Sequence, residues 1–152
     1  MIVIERRDCS PDKACGEGVL PPGVKALQRL GVADRFDSST SYPFAGIRFI
    51  QEDGSSAESQ MPGSGLGIRR TLLVDALARR AEELGAVLRH RCLVNRVPAN
   101  ANSNEAVVDT TQGKIFGRLV VAADGLHSPL RKAAGTRCGS EPPAPISAPS
   151  AL

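Results

Sequence analysis

The spacing of hydrophobic residues changes repeatedly along the chain, and each change predicts a new element. The β-branched run at positions 2–4 predicts the end of a buried strand. A polar stretch rich in glycine and proline follows at positions 6–22 and predicts a loop. Hydrophobic residues then recur at helical spacing over positions 24–30, so a helix of about two turns is expected between Pro22 and Gly31.

Two strands joined by a tight turn are predicted in the next part of the chain. Partial alternation over positions 45–50 predicts the first strand, and residues 52–55 have the composition of a hairpin turn. The second strand is expected to run to Met61. The glycine-dense stretch 62–67 after it predicts a loop.

The strongest helical pattern lies at positions 71–84, and Gly85 is its expected end. One stripe of this helix is apolar and comprises Leu73, Leu77, Ala81 and Leu84. Strands are then expected at about 86–97, 105–111 and 114–122. Residues 119–123 are apolar on both faces, which is typical of a central strand in a parallel sheet.

Composition narrows the classes of protein that this chain can belong to. It has 152 residues, 41% of them hydrophobic, a net charge of +3 and 3% aromatic residues, and its length favours a single domain. Few aromatic side chains and a small net charge argue against nucleic-acid binding. No apolar run reaches the roughly 20 residues that a membrane helix needs. The last residues, 136–152, are rich in proline, alanine and serine and predict a disordered tail.

The cysteines and histidines offer no metal chemistry. The four cysteines form no CxxC pair, and the start of the chain has no pattern of an export signal. We therefore expect reduced thiols, no disulfide, no bound metal and a cytoplasmic location.

Glu5 is the first candidate for cofactor binding. A carboxylate that directly follows a buried strand is where dinucleotide-binding folds hold the ribose hydroxyls of an adenosine. The alternative is a surface acid without a ligand. Lys13, Arg69 and Arg70 flank two glycine clusters and could neutralise a pyrophosphate, or they are solvated side chains at a helix end.

A second candidate is the Asp124–Gly125 corner after the apolar run. Ser128 suits a helix N-cap and Pro129 a first helical position, so a short helix to about residue 134 is expected. A strand, a turn and a helix in this order place backbone amides and a carboxylate at the sheet edge where open α/β sheets bind ligands. The alternative is a simple tight turn.

Three stretches in order, at positions 2–21, 65–77 and 120–131, resemble the para-hydroxybenzoate hydroxylase-like FAD-dependent monooxygenases. The resemblance implies an α/β fold: a partial FAD/NAD(P)-binding, Rossmann-like domain over 1–135, with a mixed-sheet segment of a substrate domain inserted at about 42–62. It also implies a set of cofactor-binding residues, namely Glu5 at the ribose, Arg6 and Lys13 along the adenine and pyrophosphate path, Arg70 at its helix start, Asp124 and Gly125 near the pyrophosphate, and Arg131 bracing that loop. Glu5 and the Asp124–Gly125 corner are then expected side by side at one sheet rim.

The implied activity uses FAD, NAD(P)H and oxygen to hydroxylate or epoxidise a small organic substrate. The chain departs from the family pattern, since it contains neither the GxGxxG loop nor the later GD motif. We therefore expect a fragment that binds FAD weakly or not at all by itself. Two alternatives remain open: a geranylgeranyl-reductase-like flavoprotein, and an inactive remnant or interaction module. The catalytic residues and the oligomeric state are not predicted.

Overall fold

The computed structural model describes residues 1–8, 12, 15–98 and 105–133. The chain divides into two compact units, Met1–Leu93 and Val94–Leu152. Helices and short sheets alternate along the described residues, so the chain is α/β as predicted. The predicted tail at 136–152 lies outside the described residues.

The first unit contains a pair of parallel strands. Strand β1 spans Ile2–Ile4 and pairs with β5, Val87–Arg89, so that Ile4 lies opposite Arg89. The strand is where the sequence predicts it, but it is not buried, because Ile2 and Val3 are 40% and 39% exposed. The reason is that β1 has one neighbouring strand among the described residues, and the other edge of β1 is unpaired.

Two helices follow the predicted pattern closely. Helix α1 spans Pro21–Leu30 and helix α2 spans Arg70–Glu83. Each ends at a glycine with positive φ, 69° at Gly31 and 84° at Gly85. Hydrogen bonds from Gly85 N–H to Glu82 and from Ala86 N–H to Ala81 close the end of α2, a pattern for which glycine is the preferred residue.

A long antiparallel hairpin lies between the helices in sequence. Strand β2 is Gly18–Val19, β3 is Ser41–Ile50 and β4 is Ser56–Ile68, in the order β2-β4-β3. The predicted turn is confirmed, with Gly54 at φ 81°.

The predicted loop at 62–67 is wrong, because these residues belong to β4. Phe44 lies opposite Gly65 in the hairpin, and a Cβ at position 65 would come within 2.5 Å of the Phe44 ring. The glycines therefore provide space for an aromatic ring on the neighbouring strand, while strand pairing satisfies their backbone groups. Sequence composition alone indicates a loop because glycine is rare in strands.

The core of the first unit joins both helices to the hairpin. Leu27 of α1, Val32 after it and Ile68 at the end of β4 are buried together. Leu73 and Leu77 of α2 pack against this cluster, as the apolar stripe predicts. Leu84 does not, since it is 70% exposed beyond the last turn of α2.

The strand predicted at 86–97 is two strands in two different sheets. Strand β5 ends at Arg89, and β6, Val94–Arg96, pairs with β7, Ala106–Thr110. Arg91 separates them with a φ of 54°, a left-handed conformation that interrupts extended backbone.

The second unit is a three-stranded antiparallel sheet followed by a short helix. Strand β8, Gly113–Gly117, pairs with β7, and helix α3 spans Pro129–Ala133 as predicted. The central parallel strand expected at 119–123 is wrong: Leu119 and Val121 are 80% and 76% exposed, and no described strand pairs with this run. A strand needs a hydrogen-bonded neighbour, and apolar composition cannot supply one.

Candidate functional site

Glu5 lies directly after β1, at the carboxyl end of the parallel strand pair. Its backbone extends the pairing, since Glu5 N–H donates to the Arg89 carbonyl at 2.9 Å. One carboxylate oxygen, Oε1, accepts the Arg7 N–H at 2.8 Å, which orients the exposed side chain. The other oxygen accepts no hydrogen bond from the described residues. The carboxylate is therefore held in place on one side and open to a hydroxyl donor on the other, which is what a ribose-binding acid requires.

Basic residues surround this end of the strand pair. Arg6 follows Glu5 and is exposed. Arg91, beyond β5, forms an ion pair with Asp8, and the guanidinium lowers the pKa of the Asp8 carboxyl below its ordinary value. Lys13, the other basic residue assigned to this path by the sequence, lies outside the described residues.

Arg70 is the first residue of α2, and Glu17 is attached to the same helix start. The Glu17 carboxylate accepts the Arg70 backbone N–H at 3.3 Å, and the Glu17 carbonyl accepts the Ile68 N–H at 2.8 Å. A carboxylate near the first amides of a helix is favourable because the N–H groups there carry partial positive charge. The Gly16–Gly18 segment is thereby fixed against the beginning of α2.

A shallow cleft of about 620 Å³ opens beside this contact. Glycines from the 16–18 loop, the Phe44 ring, Arg69 and the segment 38–42 line it. Asp37 organises that segment: its Oδ1 accepts the Ser39 hydroxyl at 2.6 Å and the Thr40 N–H at 3.1 Å. These bonds, the Ser39 hydroxyl first, lower the pKa of Asp37. Ser39, Thr40 and Ser41 donate their hydroxyls to Asp37, so Ser38, Tyr42 and Arg69 are the lining residues that can donate to the oxygens of an organic ligand.

The Asp124–Gly125 corner is built by its own hydrogen bonds. Asp124 Oδ2 accepts the Leu130 N–H at 3.2 Å, and the Ser128 hydroxyl, with this amide, lowers the pKa of Asp124. Ser128 is 4% exposed, and its Oγ accepts the Arg131 N–H at 2.9 Å, as expected of an N-cap. Gly125 has a φ of 91°, which L side chains rarely adopt.

Arg131 closes the same corner from the helix side. Its guanidinium donates to the Leu126 carbonyl at 2.5 Å. The structure therefore gathers Asp124, Gly125 and Arg131 in one turn of the second unit, and Glu5 and Arg6 on one segment of the first. The expected closeness of Glu5 to the Asp124–Gly125 corner stays a prediction.

Sequence reasoning missed three residues that shape these sites. Glu17 and Arg91 are the two non-glycine residues with positive φ in the described part of the chain, at 50° and 54°. Asp37 begins the segment that lines the cleft. Only Asp37 had a visible signal, since an Asp followed by Ser and Thr is typical of a turn in which the side chain accepts backbone N–H groups.

Among the described residues, no group of three or more His, Cys, Asp or Glu side chains could hold a metal ion. No helix in the described ranges is long and apolar enough to cross a membrane. Of the cysteines that the structure describes, Cys15 is exposed and Cys92 is buried, both as free thiols.

Comparison with known families gives a match along nearly the whole chain. The family described as "FAD binding domain" matches residues 1–146. The FAD-dependent monooxygenase cdmI of Talaromyces verruculosus is 25% identical over 140 residues, which cover 87% of this chain and 29% of that protein. A menaquinone reductase of Mycobacterium tuberculosis is 30% identical over 145 residues, covering 90% of this chain and 34% of the reductase.

Solved structures show the same fold. The p-nitrophenol 4-monooxygenase PnpA of Pseudomonas putida superposes with a TM-score of 0.70 at 17% identity, covering 88% of this chain and 37% of PnpA. The chain spans about a third of the length of the curated relatives that it matches.

Proposed function

Because the chain belongs to the FAD-binding domain family, we propose that it forms the adenosine-binding part of an FAD-dependent monooxygenase. The observation that carries the proposal is the geometry of Glu5. Its carboxylate stands at the carboxyl end of β1, with Oε1 held by the Arg7 N–H and the other oxygen without a hydrogen bond from any described residue. Acceptors at this end of parallel strands are where α/β sheets bind nucleotides.

Glu5, Arg6 and Arg70 in the described part of the chain, and Lys13 outside it, have the chemistry that the ribose and phosphates of FAD require. Glu5 would accept the ribose hydroxyls, Arg6 and Lys13 would neutralise phosphate charge, and Arg70 would face the cofactor from the start of α2. When bound, FAD supplies the redox chemistry, with NAD(P)H as reductant and oxygen as oxidant. The contribution of the chain is to place the nucleotide and keep its charges paired.

The Asp124–Gly125 corner has a supporting role in this proposal. Asp124 accepts the Leu130 N–H and Arg131 donates to the Leu126 carbonyl, so both side chains would stabilise the backbone of this turn. Gly125 lets the backbone approach a pyrophosphate because it has no Cβ.

This chain by itself should bind FAD weakly. The 152 residues contain no GxGxxG loop, whose amides and helix N-terminus seat the pyrophosphate in dinucleotide-binding folds. Affinity is expected to reside in the adenosine part. We assign the organic substrate to the cleft beside Glu17, on the basis of its volume and its mixed aromatic and hydroxyl lining.

A second candidate is a flavoprotein reductase. The observation that favours it is the 30% identity to the menaquinone reductase of Mycobacterium tuberculosis, which exceeds the 25% identity to the monooxygenase cdmI. Both candidates use the same nucleotide site. They differ in the molecule that accepts the electrons, which is oxygen for a monooxygenase and a quinone for the reductase.

The nucleotide site is tested by titrating the ¹⁵N-labelled chain with ADP. We expect the largest amide shifts at residues 4–7 and 89–92, and their loss in Glu5→Gln. Glu82→Gln is the matched control, because Glu82 is an exposed carboxylate near the end of α2. Shifts spread evenly over the chain, or unchanged by Glu5→Gln, would contradict the proposal. Stoichiometric flavin absorbance in the purified chain would contradict weak FAD binding.

The two chemistries are separated with the protein produced from its genomic locus together with flanking coding sequence. A monooxygenase consumes oxygen as it oxidises NADPH in the presence of substrate. A reductase oxidises NADPH anaerobically when a quinone is supplied. NADPH oxidation that requires the quinone and leaves oxygen unchanged would replace the first candidate with the second.

A further inference from the structure

Arg91 has an unusual backbone conformation next to the proposed nucleotide site. Its φ of 54° lies in the left-handed region, which a side chain with a Cβ adopts at a cost in free energy. Such conformations persist where surrounding contacts enforce them, and they concentrate at functional positions. The contacts of Arg91 therefore show what this conformation achieves.

The backbone around Arg91 is tied to the segment that carries Glu5. Arg91 N–H donates to the Arg7 carbonyl at 3.1 Å, and Cys92 N–H donates to the Glu5 carbonyl at 3.0 Å. Glu5 N–H also donates to the Arg89 carbonyl at 2.9 Å, so the backbone is hydrogen-bonded on both sides of the Glu5 side chain. At this left-handed turn, two successive amides bond to two carbonyls of the segment that carries Glu5.

The residue that follows Arg91 is buried and holds this part of the backbone in place. Cys92 is 1% exposed, so its backbone is fixed by packing. Arg91 therefore connects a buried residue to the exposed segment 5–8. Its guanidinium adds an ion pair to Asp8, but both side chains are largely exposed, and exposed pairs contribute little to stability.

We propose that Arg91 is a positioning residue for Glu5, and that its left-handed backbone makes this site select a nucleotide with an intact ribose diol. The inference rests on the proposed function, because it requires Glu5 to accept ribose hydroxyls. Two hydroxyls can meet one carboxylate only if its direction is fixed, and the bonds from Arg91 and Cys92 fix the backbone on which it stands. The ligand class is a nucleoside diphosphate with free 2′ and 3′ hydroxyls.

The test compares two variants of similar size. Asparagine tolerates the left-handed conformation and valine does not, whereas both remove the guanidinium. The readout is the ratio of ADP affinity to 2′,3′-dideoxy-ADP affinity. We expect a ratio of about tenfold or more in the unchanged chain, from hydrogen bonds to a charged acceptor. Arg91→Asn should keep most of this ratio and Arg91→Val should bring it near one.

The outcomes separate this inference from the proposed function. An unchanged chain that binds both nucleotides equally would overturn both. A clear preference that survives in Arg91→Val would overturn the role of Arg91 alone, and an equal loss of both affinities would reduce it to a structural role. If Arg91→Val does not fold, hydrogen exchange decides: ADP but not dideoxy-ADP should slow the Arg91 and Cys92 amides, and equal protection by both would refute the inference.

Discussion

Two carboxylates that the sequence singles out, Glu5 and Asp124, are used in opposite ways by the folded chain. Both follow an apolar run and precede a turn. One oxygen of Glu5 accepts the Arg7 N–H, and no residue in the described ranges donates to the other. Asp124 accepts the Leu130 N–H and the Ser128 hydroxyl, so its charge is taken up by its own turn.

This difference shows that an acidic residue in a family motif can either bind a ligand or stabilise the fold. The distinguishing feature is the number of acceptor positions that the chain itself fills. Glu5 keeps an unfilled oxygen beside basic residues, which suits a polyhydroxyl or phosphate ligand. Asp124 organises the first turn of α3, and its removal should destabilise that turn. The following variants test this division.

The largest effect is expected from Glu5→Ala on ADP binding. Removing a charged acceptor of hydroxyl protons should lower ADP affinity about 10- to 100-fold. The melting temperature should change little because the side chain is exposed. Calorimetric titration and thermal unfolding of the same samples measure both quantities. Asp124→Ala is the paired variant, and a similar loss of ADP affinity there would break the comparison.

Ser128→Ala is expected to weaken α3. The hydroxyl is buried and caps the Arg131 N–H, and losing such a cap costs about 1 kcal/mol. Faster hydrogen exchange at Arg131 and Lys132 would report it, together with a lower free energy of unfolding in urea. Ser128→Thr keeps the hydroxyl and serves as the control. Unchanged exchange in Ser128→Ala would mean that the corner is held by other contacts.

Glu17 is a third carboxylate, in the first unit, whose hydrogen bond to the Arg70 N–H is expected to stabilise the fold, as that of Asp124 does. Glu17→Ala removes the acceptor of the Arg70 N–H and keeps a Cβ at φ 50°, so it should lower the free energy of unfolding by about 1 kcal/mol. Glu17→Gly also removes the acceptor but relieves the backbone, so a smaller loss is expected. Equal losses in urea unfolding would show that the left-handed backbone at this position costs nothing.

The smallest effect on stability is expected from protonation of Asp124 at low pH. The pKa of Asp124 lies below its ordinary value of 3.8, so its hydrogen bonds stabilise the folded state above that pH. The contribution should stay constant from neutral pH to about 3.8 and disappear as the pH falls further. Amide shifts of Ser128 and Leu130 followed during acid titration would measure this. Asp124→Asn should lack the transition, and a transition well above 3.8 in the unchanged chain would contradict the assignment.

Much of the fold follows from local patterns. Both long helices and the hairpin turn were predictable because periodicity, glycine and proline act within a few residues. The family was also recognisable from ordered motifs, and this recognition is confirmed by the match over residues 1–146.

The errors share one physical cause, which is dependence on a distant partner. The segment 62–67 is a strand because Phe44 needs space on the neighbouring strand. Residues 119–123 are apolar but lack a paired strand in the described chain. The left-handed conformations of Glu17 and Arg91 are enforced by amides and carbonyls remote in sequence, and neither residue type indicates such a backbone. Candidate acids were therefore visible in the sequence, whereas the residues that orient them were not.

The alternating glycines of β4 have a consequence for strand alignment. Positions 63, 65 and 67 all lack a Cβ, so a slip of two residues in either direction would again place a glycine opposite the Phe44 ring. Sterics at the ring therefore do not define a unique alignment. Burial of Ile68, which is 2% exposed, does so, because a slip would carry this side chain out of the core. The alignment of the hairpin is therefore set away from the ring, by the burial of Ile68 at one end and by the tight turn and the Arg48–Glu58 ion pair at the other.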